Sequence, residues 1–189
     1  MTTVEGLLTA EEFARLPQPK SGERMELVRG RVVMAPPGNA SHGRRSGKIH
    51  SRLEAFVEDL HRLGYATDDG GYRLARDPDI VRAPDAAWVS KTRLPHGELP
   101  DDRYPDCAPN LAVEVVSTHD SDADVADKVA DWLTYGADRV WVVRPRLKTV
   151  TVHRPGGDSH TFADDDVLTS DDAGFPVQGF ELPLGVIFG

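Results

Sequence analysis

Asp85, Glu114 and Lys128 are the residues of this 189-residue chain whose types and spacing could do chemistry together. Asp85 stands in Ala83-Pro84-Asp85-Ala86-Ala87-Trp88-Val89, and Glu114 in Leu111-Ala112-Val113-Glu114-Val115-Val116-Ser117. Each segment reads as a buried strand with one carboxylate in apolar company. An ionised carboxylate in a sheet interior is costly unless a cation or hydrogen-bond donors compensate it. Lys128 follows Glu114 on a predicted helix. Two acids and a lysine from neighbouring elements point to a divalent-metal site for phosphodiester chemistry.

The elements must bring these groups together. Period-two alternation puts Leu111, Val113 and Val115 on one face of their strand and Ala112, Glu114 and Val116 on the other, with small Ala112 leaving room beside the carboxylate. Asp85 shares a face with Ala87 and Val89, and Pro84 sits at the strand start, where it breaks no ladder bond. At about 100° per residue, Lys128 falls at the edge of the buried stripe formed by Val125, Val129 and Trp132, while Asp124, Asp127 and Asp131 fall towards solvent. The competing structural explanations are a salt bridge or strand-end position for either acid, and a lysine that snorkels to water.

Along the chain, Thr9-Ala10-Glu11-Glu12 is a capping-box pattern opening a short helix that ends before Pro17. Met25–Val28, Arg29-Gly30 and Arg31–Met34 read as a β-hairpin with a two-residue turn. From about His42 to Leu63 the apolar residues Ile49, Leu53, Phe56, Val57 and Leu60 recur at helical spacing, with Gly64 as the expected stop. Strands are expected at Tyr65 to about Leu74 and at Ile80-Val81, around an Asp77-Pro78-Asp79 turn. Residues 90–109 read as a surface loop. A helix fits about Ser121 to Tyr135, ended by Gly136; strands follow at Arg139–Val143, Thr149–His153 and near Thr161-Phe162. The stretch 163–174 reads as a loop and Phe180–Phe188 as a tail that packs back. No internal repeat or linker breaks the chain, so one α/β domain over residues 1–189 is expected.

Composition narrows the classes. Hydrophobic content of 39% and charged content of 28% fit a globular protein. No apolar run approaches the ~18 residues of a membrane span. The start Met1-Thr2-Thr3-Val4-Glu5 lacks the basic region of a secretory signal, and the single Cys107 forms no internal disulfide, so the expectation is cytoplasmic. A net charge of −9 argues against a general nucleic-acid coat. The charge is uneven, however: residues 1–62 hold 10 Lys+Arg against 8 Asp+Glu and the remainder 12 against 23. Arg44, Arg45, Lys48, Arg52 and Arg62 can therefore form a local basic surface within an acidic protein.

Here the ordered motifs converge. Glu26 in Met25-Glu26-Leu27-Val28-Arg29-Gly30, His42 in Ser41-His42-Gly43, Pro84-Asp85, Glu114-Val115-Val116-Ser117 and Lys128 together resemble the Uma-type family of bacterial restriction-endonuclease-like proteins, within the PD-(D/E)XK nuclease superfamily. The similarity runs from Leu8-Thr9-Ala10-Glu11-Glu12-Phe13 to Leu182-Pro183-Leu184; its strength lies in the order and spacing, not in any one motif. The resemblance implies a mixed central sheet flanked by helices, with the acids binding Mg²⁺ or Mn²⁺. It places the lysine on the helix, at Lys128, because Val116 stands at the superfamily's in-strand lysine position. Trp132 replaces a tyrosine common one turn after that lysine, and Ser117-Thr118 replaces Ser-Pro. Asp85, Glu114 and the Val115 carbonyl then become hard oxygen ligands, and Lys128 positions hydroxide or steadies developing charge. Glu26 is a further ligand or supporting acid, or an ordinary hairpin ion pair. His42 is a phosphate contact or proton carrier, or a helix-terminus histidine. The superfamily often pairs subunits to cut both strands, so a homodimer is implied as well.

Other patterns are weaker. Gly38–Arg45 imitates a phosphate loop but has Arg44 and Arg45 where Lys and Ser/Thr belong. Asp120–Asp124 imitates a Ca²⁺ loop but has Val125 at the glycine position, so it reads as an acidic helix start in which Ser121 or Asp122 serves the N-terminus. Ser117 beside His119 lacks a third partner for a hydrolase triad. The runs Asp101-Asp102, Asp164–Asp166 and Asp171-Asp172 read as solvated loops. Three classes remain: a metal-dependent DNA endonuclease, a nucleic-acid-binding or regulatory protein on the same fold, and an acidic protein-interaction module.

Overall fold

Thr9 caps the first helix as its pattern requires. Its hydroxyl accepts from the Glu12 amide at 3.2 Å, and the Glu12 carboxylate accepts back from the Thr9 amide at 2.8 Å. Helix α1 spans Ala10–Ala14. The computed structural model describes residues 6–20 and 22–189; the residues 1–5 considered above lie outside them. Strands β1 (Arg24–Val28) and β2 (Arg31–Ala35) form the expected hairpin, with Val28 opposite Arg31. Arg29 and Gly30 take φ of 50° and 73°, the left-handed pair that a two-residue turn demands. A Cβ on Gly30 would lie 2.6 Å from that of Leu7, so a larger residue does not fit. Strands β3 (Gly64–Thr67), β4 (Tyr72–Ala75) and β5 (Ile80–Arg82) follow the next helix, and β1 extends into a small antiparallel sheet of order β2-β1-β5-β4.

Helix α2 (Ala40–Glu54) is capped by Asn39, which accepts from the His42 amide at 2.9 Å, and continues as a π-helical segment over Ala55–Leu60. Ile49, Leu53, Phe56 and Val57 are buried as their spacing predicts, but Leu60 is 68% exposed. The longer hydrogen-bond span of the π turn rotates Leu60 off the buried stripe. The left-handed residue beyond the helix is Arg62, not Gly64. Gly64 instead opens β3, where a Cβ would collide with the Val89 carbonyl.

The main sheet adds β6 (Ala86–Ser90), β7 (Leu111–Val115), β8 (Arg139–Arg144), β9 (Thr149–His153) and β10 (Ser159–Ala163) in the order β10-β9-β8-β7-β6-β3. Among the described strands only β7 and β8 pair in parallel, and helix α3 (Asp122–Thr134) supplies the crossover that such a pair needs. This is the mixed, helix-flanked sheet that the family resemblance implies for the expected α/β domain. The predicted alternation along β7 holds: Leu111, Val113 and Val115 join the core that contains Ile49 and Leu53 of α2, whereas Ala112 joins Trp132 of α3. The expected loop begins one residue later, after Ser90 closes β6, and residues 91–110 carry two short helical turns pinned by buried Leu94 and Ala108.

The expected loop at 163–174 contains structure. Strand β11 (Val167–Thr169) pairs with β12 (Glu181–Pro183), and the short helix α4 (Ser170–Ala173) lies between them. Asp172 is buried because its carboxylate closes a capping box with Thr169 and meets Arg154 at 3.1 Å. A run of aspartates had hidden a helix start. The final helix α5 (Leu184–Phe188) packs back as expected, burying Leu184 and Ile187.

Candidate active site

Asp85 lies where the β6–β7 ladder gives out. The last paired residues are Ala86 and Val113; one step beyond, the Asp85 amide donates to the Val113 carbonyl at 2.9 Å. The Asp85 carboxylate then takes the next β7 amide, accepting from Val115 at 2.6 Å in place of a strand carbonyl. Two basic groups complete its shell: Arg24 Nη1 at 2.6 Å from Oδ1 and His42 Nε2 at 3.3 Å from Oδ2. Burial pushes the Asp85 carboxyl up, but the His42 hydrogen bond and the Arg24 charge outweigh it and hold the pKa at about 2. Asp85 is therefore ionised. His42 is raised above its ordinary value, chiefly by that same hydrogen bond.

Glu114 points from β7 to the α3 face. Lys128 Nζ donates to its Oε2 at 2.9 Å and Trp132 Nε1 to its Oε1 at 2.8 Å. These donors lie four residues apart on α3, so one helical turn grips both oxygens. Ser121 and Asp124 start that helix with a closed capping box, as the sequence allows for Ser121. Burial raises the Glu114 pKa against the pull of Lys128, and Glu114 in turn raises that of Lys128. The lysine ammonium faces the acid, not bulk water.

Glu26 stands on β1, two residues from Arg24 and on the same face. Its Oε2 accepts from Arg82 at 2.7 Å and its Oε1 from the Ala83 amide at 3.0 Å. Arg82 also reaches Asp131 of α3 at 2.6 Å. Asp131, expected to face solvent, is 5% exposed, because the small sheet covers that side of α3 and presents Arg82 to it. This network ties β1, β5 and α3 together around the site.

Glu26, His42, Asp85, Glu114, Val115 and Lys128 all line one cleft of about 60 Å³. All the sequence-predicted residues therefore share one location. Sequence reasoning missed Arg24, which no spacing signals, and the Arg82–Asp131 pair, which joins elements far apart in the chain. The Trp132 indole was visible as a departure from tyrosine, but its hydrogen bond to Glu114 was not.

Among the described residues, no group of three His, Cys, Asp or Glu forms a ready metal cage. The donor chemistry nevertheless fits a hard divalent ion, which accepts one or two carboxylates and completes its shell with carbonyl and water. Asp85 and Glu114 would be those carboxylates, with the Val115 carbonyl beside them. Each already carries a cation, Arg24 on Asp85 and Lys128 on Glu114, so an entering ion competes with both.

Comparison with known proteins gives a family and a fold. A family model, Uma2, described as "Putative restriction endonuclease", matches residues 10–185. The fold is similar to that of a solved structure from Anabaena variabilis ATCC 29413, described as a "putative nuclease belonging to DUF820". The TM-score is 0.74 and the identity 21%, covering 96% of this chain and 97% of that one. No curated protein matches.

Proposed function

Since the chain belongs to the Uma2 family of restriction-endonuclease-like proteins, we propose that it is a metal-dependent endonuclease hydrolysing phosphodiester bonds of DNA. The observation that carries this reading is the convergence of Asp85, Glu114 and Lys128, from β6, β7 and α3, on a single cleft. Asp85, Glu114 and the Val115 carbonyl would hold Mg²⁺ or Mn²⁺. When bound, that ion supplies a water of lowered pKa and charge neutralisation at the scissile phosphate.

The remaining work falls to the chain itself. Lys128 holds a positive charge against the place where negative charge develops in the transition state, and it is oriented in advance by Glu114. Trp132 fixes the Glu114 carboxylate from behind. His42, protonated more readily through Asp85, offers a cation to a phosphate oxygen or a proton to a leaving oxygen. Glu26 acts through Arg82 as a positioning residue, since both its oxygens are engaged away from the other acids. Cutting both strands would require two such sites, hence a homodimer. A cytoplasmic location gives access to DNA; no helix among the described residues is long and apolar enough to cross a membrane.

Supercoiled plasmid nicking in Mn²⁺ or Mg²⁺ tests the proposal. Asp85→Ala and Glu114→Ala should each abolish nicking while leaving the far-ultraviolet circular dichroism intact. Unchanged nicking by either would reject these ligands. A second reading, nucleic-acid binding without cleavage, is favoured by one observation: Arg24 already occupies Asp85. Calorimetric titration with Mn²⁺ separates the two, because only the nuclease reading requires heat of binding that Asp85→Ala removes.

A further inference from the structure

A second cleft, of about 420 Å³, opens beside the acidic one and shares His42, Val115, Val116, Ser117 and Asp120 with it. Its walls are the first turn and a half of α2 and the turn between β8 and β9. In a chain of net charge −9, it gathers three arginines: Arg45, Arg144 and Arg146. The one acid in its lining, Asp120, is already engaged by the Ser117 amide at 2.6 Å.

These arginines are incompletely satisfied. Arg45 bonds the Ser41 carbonyl at 3.1 Å, yet its Nε is buried without a hydrogen-bond partner, which is costly for a charged donor. Arg146 is exposed and has no ion pair among the described residues. Arg144 is held only at its rim, by the exposed Asp122 at 3.0 Å. Beside polar Asn39, Ser41, Ser117 and Thr118, the wall has an apolar stretch of Val116, Pro145 and Leu147, the last 69% exposed. Guanidinium forks next to an apolar wall match a phosphate joined to a sugar and base. The volume lies within the ~300–1,000 Å³ typical of small-ligand pockets and suits one nucleotide. A duplex, with a major groove about 12 Å wide, needs an extended surface instead.

Resting on the nuclease reading of the adjoining cleft, we infer that this second cleft seats an unpaired DNA nucleotide flanking the scissile phosphate. Arg45 and Arg146 bind its phosphate, and Leu147 and Pro145 contact its sugar and base. His42, common to both clefts, lies between that phosphate and the reacting one. The enzyme therefore prefers single-stranded or frayed substrate to intact duplex.

The test is fluorescence anisotropy of the full chain with a fluorescein-labelled twelve-nucleotide oligothymidylate and a duplex of equal length, in EDTA so that nothing is cut. The single strand should bind more tightly. Arg45→Ala and Arg146→Ala should each weaken it roughly ten-fold and reduce the salt slope by about 0.7. Arg52→Ala, an equal charge loss on exposed α2 surface outside the cleft, should change neither. Arg146 is exposed, so its variant is expected to fold and carries the test if Arg45→Ala does not. Equal binding by Arg146→Ala and wild type, or a preference for duplex, overturns the cleft assignment and leaves the acidic site standing. No binding to either oligonucleotide, together with no plasmid nicking, overturns both.

Discussion

Asp85 owes its ionised state to three donors, and the sign of its effect on stability follows. Its folded pKa of about 2 lies below the ordinary 3.8, so its contribution is present above about pH 3.8 and is lost as pH falls through 2. His42 is raised above 6.5, so its contribution is complete below that value and is lost as pH rises through the folded pKa. Thermal melts should therefore show a plateau between about pH 4 and 6.5 from this pair, with a decline on the alkaline side that His42→Gln removes. Lys128 carries a similar burden for Glu114. Lys128→Met leaves a buried acid without its cation and should cost about 3 kcal/mol in denaturant titration while abolishing nicking. All five candidate side chains were legible from residue type, order and family resemblance. Arg24 was not, because an arginine at a strand start looks the same whether it faces water or an acid.

At the level of elements, the small sheet and α3 are joined by buried charge. Arg82 bridges Glu26 and Asp131 and is itself buried, so Arg82→Ala takes the near cation from two carboxylates at once, leaving Glu26 the Ala83 amide and Asp131 the more distant Arg29 at 3.6 Å. The expected loss is about 3–5 kcal/mol, read as a lower denaturant midpoint, with impaired nicking because β1 and α3 no longer hold the cleft in register. A preserved midpoint would show that these acids find water instead. Helix starts were legible where side chain and backbone cap each other locally, at Thr9 and Ser121. They were missed at Thr169, where the capping aspartate sits inside an acidic run. The face of α3 bearing Asp131 was misassigned for a different reason: helical periodicity reveals one buried stripe, while a second covering layer is announced only by residues elsewhere in the chain.

For the whole molecule, the joint occupation of Asp85 and Glu114 predicts a measurable exchange of cations. Mn²⁺ at a hundred times its Kd should stabilise the fold by about 2.7 kcal/mol, seen as a rise in Tm. Arg24→Ala should enlarge that rise by removing a competitor, and Glu114→Ala should abolish it. The basic face of α2 is partly consumed in holding the molecule together: Arg44 donates to the carbonyl of Gly189, the C-cap of α5, at 3.1 Å, and Lys48 to that of Val186 within α5 at 2.5 Å. The sequence alone carried the main helices and strands, the alternation along β7 and the candidate site residues, but not β11, α4 or β12, because periodicity, caps and turn residues act over a few positions and are written side by side. Tertiary structure alone decided which cation meets which acid, where the second cleft opens and which arginines line it. Those outcomes depend on distances between groups up to 145 residues apart, which no local pattern encodes.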